Sequence, residues 1–414
     1  MVNVKLRIGF LGIGAMGISH VQQWHVKLAA RSTCAALCGR NEANLKRALA
    51  VAPDAKVFSD ERELIHSPLV DAVAISTPNF THVPLALETL RAGKHLFLEK
   101  PCGITLDECS RLLDAASHTD RVVMIGHELR YSPYFQRIKA LVDAGEIGRP
   151  RMVWTREFRG PFQPKSQNWI QDARRSGGML VDKNCHQFDL MNWWVGGTGI
   201  LPVQKGGTPT TTGGTPVPLP GVRPARVAAF GASAVMRVVD PVHQVNDHAT
   251  VSYEYDNGVL GTLQICLFGR DFPDEELEMG IVGDAGSLQT RIRSPRQPAN
   301  TPHPASGHPL PSSDEGRGKG EGSFSAGSTS DGVLEILQWK LGTKQKEPIV
   351  HRVESKRGEG WGNHLGFDEM HAAFLDAVLD GKRPLTTVAD CVDATRICIA
   401  AEESIAQRSQ VELW

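Results

Sequence analysis

Asp182, His186 and Asp189 stand at positions i, i+4 and i+7 behind the pair Gly177-Gly178. On a helix that spacing brings an imidazole and two carboxylates onto one face. A histidine flanked by carboxylates behind a tight turn is a candidate general base. A second candidate, Lys100, stands two residues after the apolar run His95–Leu98. An ammonium group emerging from a buried strand is costly unless paired, so Lys100 is a candidate to bind a polar ligand or to hold developing negative charge.

A third group of residues points to a nucleotide. Gly12, Ile13, Gly14, Ala15, Met16 and Gly17 spell GxGxxG after an apolar run at the start of the chain. The first glycine suits a tight turn, the second lets backbone N–H groups approach a pyrophosphate, and the third lets a helix pack on a strand. The helix N-terminus adds aligned dipoles for the anion. About 20 residues further on, where NAD enzymes place an acidic residue for the ribose, the chain has Gly39, Arg40 and Asn41. Without a carboxylate to repel a 2′-phosphate, and with a guanidinium beside the turn, NADP is expected over NAD. Other polar groups follow apolar runs: Ser76, Thr77, Pro78, Asn79 and His82; Glu99 and Lys100; and His127, Glu128 and Arg130. In open α/β sheets the ligand crevice lies at that edge. These residues, Glu128 excepted, are therefore expected around cofactor or substrate.

The elements that would position them read clearly. Apolar, β-branched runs at 7–11, 33–38, 70–76, 95–98 and 122–126, with a weaker one at 56–58, alternate with helical stretches at 15–30, 42–52, 81–91 and 105–117. Near-continuous apolar strands imply burial on both faces, and the alternation implies a doubly wound parallel sheet. After residue 127 a helix at 133–144 precedes strand-like runs at 151–158, 226–235, 249–255, 259–267, 276–282, 287–292 and 332–338. Asn257-Gly258 marks a hairpin, and two amphipathic helices, 367–380 and 388–408, close the chain. The expected fold class is α/β: a Rossmann domain over 1–127, and an α+β domain over 128–414 with a mostly antiparallel open sheet. Segments 197–224 and 294–330, rich in Pro, Gly, Thr or Ser, are expected to be disordered insertions.

Bulk properties exclude several classes. With 414 residues, two domains are expected. A formal net charge of −1 gives no general attraction to nucleic acid or to an anionic membrane. No apolar run approaches a membrane span, and the N-terminus reads as a strand rather than a signal peptide, so a cytoplasmic protein is expected. The eight cysteines contain no CxxC pair, so neither a metal site nor disulfides are expected.

Taken in order, Gly12 to Gly17, Ser76 to Asn79, Glu99-Lys100-Pro101, Arg130, Gly145 to Gly148, and Gly177-Gly178 leading to Asp182 and His186 resemble the glucose–fructose oxidoreductase, inositol dehydrogenase and MocA family. The resemblance covers nearly the whole chain apart from the two insertions. It implies hydride transfer between a nicotinamide and a carbinol of a sugar, cyclitol or related polyol. It also implies that Lys100, Asp182 and His186 form the catalytic set. His186 would move the hydroxyl proton, Lys100 would stabilise the oxygen, and Asp182 would anchor substrate hydroxyls. His127 and Trp169 are expected to contribute to the substrate pocket. A homodimer or homotetramer through the C-terminal sheet is implied as well. Lys183-Asn184 and His127 depart from the family's usual residues, and the substrate is therefore expected to differ from a plain hexose. Lys183 either adds a second cation to the pocket or faces solvent. Two other readings use the same scaffold: a glycoside hydrolase that retains its NAD, and a non-catalytic dinucleotide sensor.

Overall fold

In the N-terminal third the apolar runs form parallel strands, as strands buried on both faces must. The computed structural model describes residues 5–158, 166–196, 222–235, 244–268, 277–291, 332–343, 345–355 and 365–413. The expected insertions 197–224 and 294–330 fall outside these, except for 222–224.

The first sheet contains β1 (Leu6–Leu11), β2 (Ser32–Cys38), β3 (Lys56–Phe58), β4 (Ala72–Ile75), β5 (His95–Leu98) and β6 (Val123–Ile125), in the spatial order β3-β2-β1-β4-β5-β6. All neighbours are parallel. Its covering helices are α1 (Ala15–Val21), α2 (Glu42–Val51), α3 (Glu61–His66), α4 (His82–Arg91) and α5 (Leu106–Ser117). The single helix expected over 15–30 instead passes into a π-helical segment, Gln22–Lys27. Strand register is the feature that matters for function. Cys38, Leu11, Ile75, Leu98 and Ile125 pair in one row across five strands. Gly12, Gly39, Ser76, Glu99 and Gly126 therefore leave the sheet together at one edge.

The second half continues with α6 (Pro133–Asp143), β7 (Pro150–Phe158), the short α7 (Ala173–Ser176) and α8 (Cys185–Val195). Its remaining strands are β8 (Pro224–Ala232), β9 (His248–Tyr255), β10 (Leu260–Cys266), β11 (Leu277–Gly283), β12 (Gly286–Arg291), β13 (Gly332–Lys340), β14 (Ile349–Ser355) and β15 (Val411–Glu412). With β7 they make a nine-stranded sheet ordered β14-β13-β12-β11-β7-β10-β9-β8-β15. Its paired neighbours are antiparallel apart from β7 and β10. The Asn-Gly hairpin forms between β9 and β10, with Gly258 at φ +80° and Tyr255 N donating to Val259 O at 2.9 Å.

Two final helices, α9 (Phe367–Asp380) and α10 (Val388–Gln407), tie the halves together. Phe367, Met370, Phe374 and Leu375 of α9 join the first sheet's core beside Trp24 and Phe97. α10 is divided between two cores. Val388, Cys391 and Val392 pack with Leu98 and Leu112, whereas Ala394, Ile397, Cys398 and Ala401 pack with Phe188 and Val251. Among the described residues no helix is long and apolar enough to cross a membrane.

Candidate active site

The glycine turn is shaped by backbone contacts. Gly12 has φ +87°, and a Cβ there would stand 2.6 Å from Ser76 O. A Cβ on Gly17 would drive into the carbonyl of Gly12. Gly14, which caps α1, has open space around the position of a Cβ, and no side chain caps the first turn. This is the cradle a pyrophosphate requires: exposed N–H groups, no side chain in the way, and a helix axis behind them. Ile13 is buried and Met16 half-buried, while Ala15 is exposed at the rim. Ser76 Oγ, donating to Gly12 O at 2.8 Å, ties the turn to β4.

At the end of β2, Arg40 extends into solvent with its side chain 90% exposed, touching Glu61 at 3.4 Å. Asn41 caps α2, its Oδ1 accepting from Asn44 N at 2.9 Å. Thr77 receives a hydrogen bond from Thr81 at 2.7 Å, which fixes the loop around Pro78.

Two residues reach across the crevice to the second half. Lys100 Nζ donates to the carbonyl of Asp182 at 2.6 Å, and Asn79 Nδ2 donates to Asp182 Oδ1 at 3.0 Å. Lys100 is half-buried. Burial opposes its charge, yet Asp182, Cys185, Glu99 and Glu128 outweigh burial and raise its pKa above the ordinary lysine value of 10.5. It is therefore a fixed cation, suited to stabilising an oxyanion and unsuited to accepting a proton.

A carboxylate from outside its own helix lies near His186. Residues Leu180–Asn184 are π-helical, and α8 begins only at Cys185. Asp182 turns to Asn79, while His186 Nδ1 lies 3.4 Å from Glu128 Oε2. Asp189 is held bidentately by Arg130, with Nε and Nη2 each at 2.7 Å from its oxygens. Arg130 also meets Asp390 at 3.1 Å. Burial raises Asp189, and Arg130 opposes that. For Asp390 burial is again the largest influence, but here Arg130 and the hydrogen bonds from Thr387 together outweigh it and lower its pKa.

Several expected contacts are placed differently. Both ring nitrogens of buried His82 face carbonyls, Pro101 O at 2.8 Å and Thr77 O at 2.9 Å, and burial lowers its pKa. His82 thus braces the loops instead of facing the nucleotide. Arg130, expected at the cofactor, is a buried cation locked to Asp189 and Asp390. His127 sits behind His186, ring to ring at 5.4 Å, with Nε2 3.2 Å from Cys391 Sγ. Burial disfavours its protonation, but Asp189 and Cys391 push it up to about 9. Trp169 is buried in the turn Ser166–Gln171. Arg175 secures that turn through Gln167 O at 3.3 Å and lies 4.8 Å over the ring of Phe80. Lys183 is paired with Glu157 at 3.2 Å, itself bonded by Gln187 at 2.9 Å, so it adds no net charge. Among the described residues no cluster suits a metal ion, and all eight cysteines are free thiols.

Glu128 and Glu157 were not singled out for a role by the sequence reading. Glu128 was visible beside His127, but nothing in spacing alone says which carboxylate meets which imidazole. Glu99 carries a further buried partner, His20, at 3.1 Å, and His20 meets His371 at 2.7 Å.

The profile of a family described as "Oxidoreductase family, NAD-binding Rossmann fold" matches residues 6–127, and its companion, "Oxidoreductase family, C-terminal alpha/beta domain", matches 139–413. Curated relatives include a myo-inositol 2-dehydrogenase of Thermotoga maritima. It is 29% identical over 191 residues, 46% of this chain and 55% of the relative. An uncharacterized oxidoreductase, YrbE, of Bacillus subtilis is 33% identical over 192 residues, 45% of this chain and 53% of the relative. The matched stretch thus spans about half the length of these relatives. Similar solved structures include a levoglucosan dehydrogenase in complex with NADH and levoglucosan, at 19% identity and a TM-score of 0.73, covering 99% of this chain and 100% of that one. Another is the apo scyllo-inositol dehydrogenase of Lactobacillus casei, at 18% identity and a TM-score of 0.70, covering 100% of this chain and 99% of that one.

Proposed function

The chain belongs to the Gfo/Idh/MocA oxidoreductase family, and from its crevice we propose that it exchanges a hydride between a nicotinamide dinucleotide and a carbinol or ketone carbon of a sugar, cyclitol or related polyol. The observation that carries the reading is the Lys100–Asp182 contact at 2.6 Å, which brings the nucleotide edge of the first sheet against the start of α8. A bound dinucleotide supplies the redox capacity. Gly12 to Gly17 cradle its pyrophosphate, and Gly39 with Arg40 meet the adenosine ribose. Ser76 to Asn79 and Glu99 line the crevice toward Lys100.

In oxidation, His186 takes the proton of the substrate hydroxyl. Lys100 holds the negative charge that develops on that oxygen. Asp182, fixed by Asn79, accepts from neighbouring hydroxyls. The lines of support are a nucleotide-shaped cradle, a fixed cation and an imidazole–carboxylate pair around one crevice.

The test is absorbance at 340 nm with purified protein, nucleotide and a panel of polyols that includes myo-inositol. His186→Ala and Lys100→Met should each lower turnover at least about a hundredfold. The double variant should be less damaged than the product of the singles, because both groups act on one oxygen. Near-normal turnover of His186→Ala would remove His186 from the mechanism.

Preference for NADP rests on Gly39-Arg40, whose exposed guanidinium can meet a 2′-phosphate. A Cβ on Gly39 would press on Ile13 at 3.0 Å. Arg40→Ala is therefore a cleaner test than Gly39→Asp, and it should weaken NADPH about tenfold while leaving NADH unchanged. Wild-type preference for NADH by tenfold would refute the reading. The open face of the nine-stranded sheet is the proposed surface for dimer or tetramer formation.

A further inference from the structure

We infer that Glu402 of α10 is a positioning residue for Asp182: its carboxylate holds the turn that carries Asp182 and so keeps that residue on Lys100 and Asn79. The inference rests on the substrate-binding role proposed for Asp182 and assigns the group that sets its place.

The glycine pair ahead of Asp182 is the first observation. Both residues lie in the left-handed region, Gly177 at φ +86° and Gly178 at φ +99°, and each leaves room for one side chain. A Cβ on Gly177 would stand 2.8 Å from Val181 Cγ1, and a Cβ on Gly178 would stand 2.5 Å from Glu402 Oε1. The second glycine therefore admits a carboxylate from a distant helix to the backbone of this turn.

Glu402 fills that opening with both oxygens engaged. Its Oε1 accepts from Leu180 N at 2.9 Å, and its Oε2 accepts from Asn246 Nδ2 at 2.9 Å. Leu180 is buried in the first turn of the helical run, where N–H groups have no acceptor within the helix. The carboxylate supplies one from outside. Burial raises the Glu402 pKa, and the Leu180 amide and Asn246 oppose that.

The hold on Leu180 reaches Asp182 through one short stretch of backbone. Asp182 N donates to Gly178 O at 3.1 Å, which closes a turn with Leu180 at its middle. Asn79 ties the same turn from the crevice side, donating to Ser176 O at 2.9 Å and to Asp182 Oδ1 at 3.0 Å. Lys100 Nζ donates to Asp182 O at 2.6 Å. The first sheet's edge thus grips the ends of the turn, and Glu402, from α10, grips its centre. A side chain that binds substrate keeps its geometry only when the groups behind it are fixed in this way.

Three variants of the full chain test this. Glu402→Met removes both acceptors, Glu402→Asp draws the carboxylate back from Leu180 N, and Glu402→Gln keeps an acceptor for it. In Glu402→Met, amide hydrogen exchange at Leu180 should quicken about tenfold or more, while exchange in β4 is unchanged. Its crystal structure should show Asp182 O withdrawn from Lys100 Nζ. Glu402→Asp, the milder change, should shift both measurements the same way by less, and it carries the test if Glu402→Met fails to fold. Glu402→Gln should stay near wild type. Assayed with myo-inositol and NAD, Glu402→Met should raise KM about tenfold, with a smaller fall in kcat and unchanged nucleotide affinity. Exchange at Leu180 and a placement of Asp182 that match wild type in Glu402→Met and Glu402→Asp overturn the assignment. So does a Glu402→Gln as impaired as Glu402→Met, or a loss of nucleotide affinity that matches the rise in KM, which marks general destabilisation. Absence of turnover with every polyol in wild type would count against the functional reading, while the exchange rates and the crystal structure would still decide what Glu402 holds.

Discussion

Asn79 and Asp182 face each other across the crevice, with Asn79 Nδ2 donating to Asp182 Oδ1 at 3.0 Å and to Ser176 O at 2.9 Å. One amide therefore aims a carboxylate from the second half while standing on the loop after β4. A hydrogen bond to a buried charged group contributes about 1.5–3 kcal/mol. Asn79→Ala should raise the substrate KM about tenfold or more. Asn79→Asp should be worse near neutral pH, because two carboxylates would meet, and should recover as pH falls and one is protonated. Steady-state kinetics across pH would show whether the recovery occurs.

Lys100 gives a pH prediction with a definite sign. Its folded-state pKa is raised above 10.5, so its stabilising contribution is complete below pH 10.5 and is lost only as pH rises past that value. Neither activity nor stability should show a limb from Lys100 below pH 10. If an alkaline limb between pH 7 and 9 disappeared in Lys100→Arg, that fixed-cation role would be wrong.

The Arg130 triad should be asymmetric. Removing the guanidinium leaves Asp189 buried without its counter-charge, a loss of about 3–5 kcal/mol for a broken buried pair. Arg130→Met should therefore shift urea denaturation strongly. Asp189→Asn should cost less, since Asp390 still meets Arg130 at 3.1 Å. Equal losses in the two variants would contradict the assignment.

The glycine turn offers a contrast between neighbours. Gly17→Ala should prevent proper folding, because its methyl group meets the backbone of Gly12. Gly14→Ala has room in the protein itself and should leave thermal stability nearly unchanged. Its methyl group would stand where the pyrophosphate comes closest, so nucleotide affinity should fall about tenfold. Calorimetry and nucleotide titration on the two variants separate the effects.

Much of the first sheet was legible because its signals are local. Apolar runs such as Ala72–Ile75 are buried on both faces, and the Gly12–Gly17 spacing states its own turn. The convergence of Lys100 and Asp182 was expected only through family resemblance, and the contact is long-range. What could not be read was pitch. A π-helical segment at Leu180–Asn184 has no reliable residue signature. Partner choice was hidden for the same reason: Glu128 and Asp182 are both carboxylates near a histidine in the sequence, and only the tertiary fold distinguishes them. The parallel pairing of β7 with β10 and the seating of α9 beside Trp24 likewise depend on contacts between distant residues.

The division of α10 between two cores has a thermodynamic consequence. Its first two turns are held by the apolar layer beneath the nucleotide edge, and its later turns by the layer beneath the large sheet. Melting either layer alone would strip one end of a continuous 20-residue helix while the other end remained packed. The free energy of each half is thus shared with the other through a common element, and the pair should unfold as one cooperative block. Anything that binds only at the crevice would then stabilise the distant sheet by the same amount as the nucleotide fold itself.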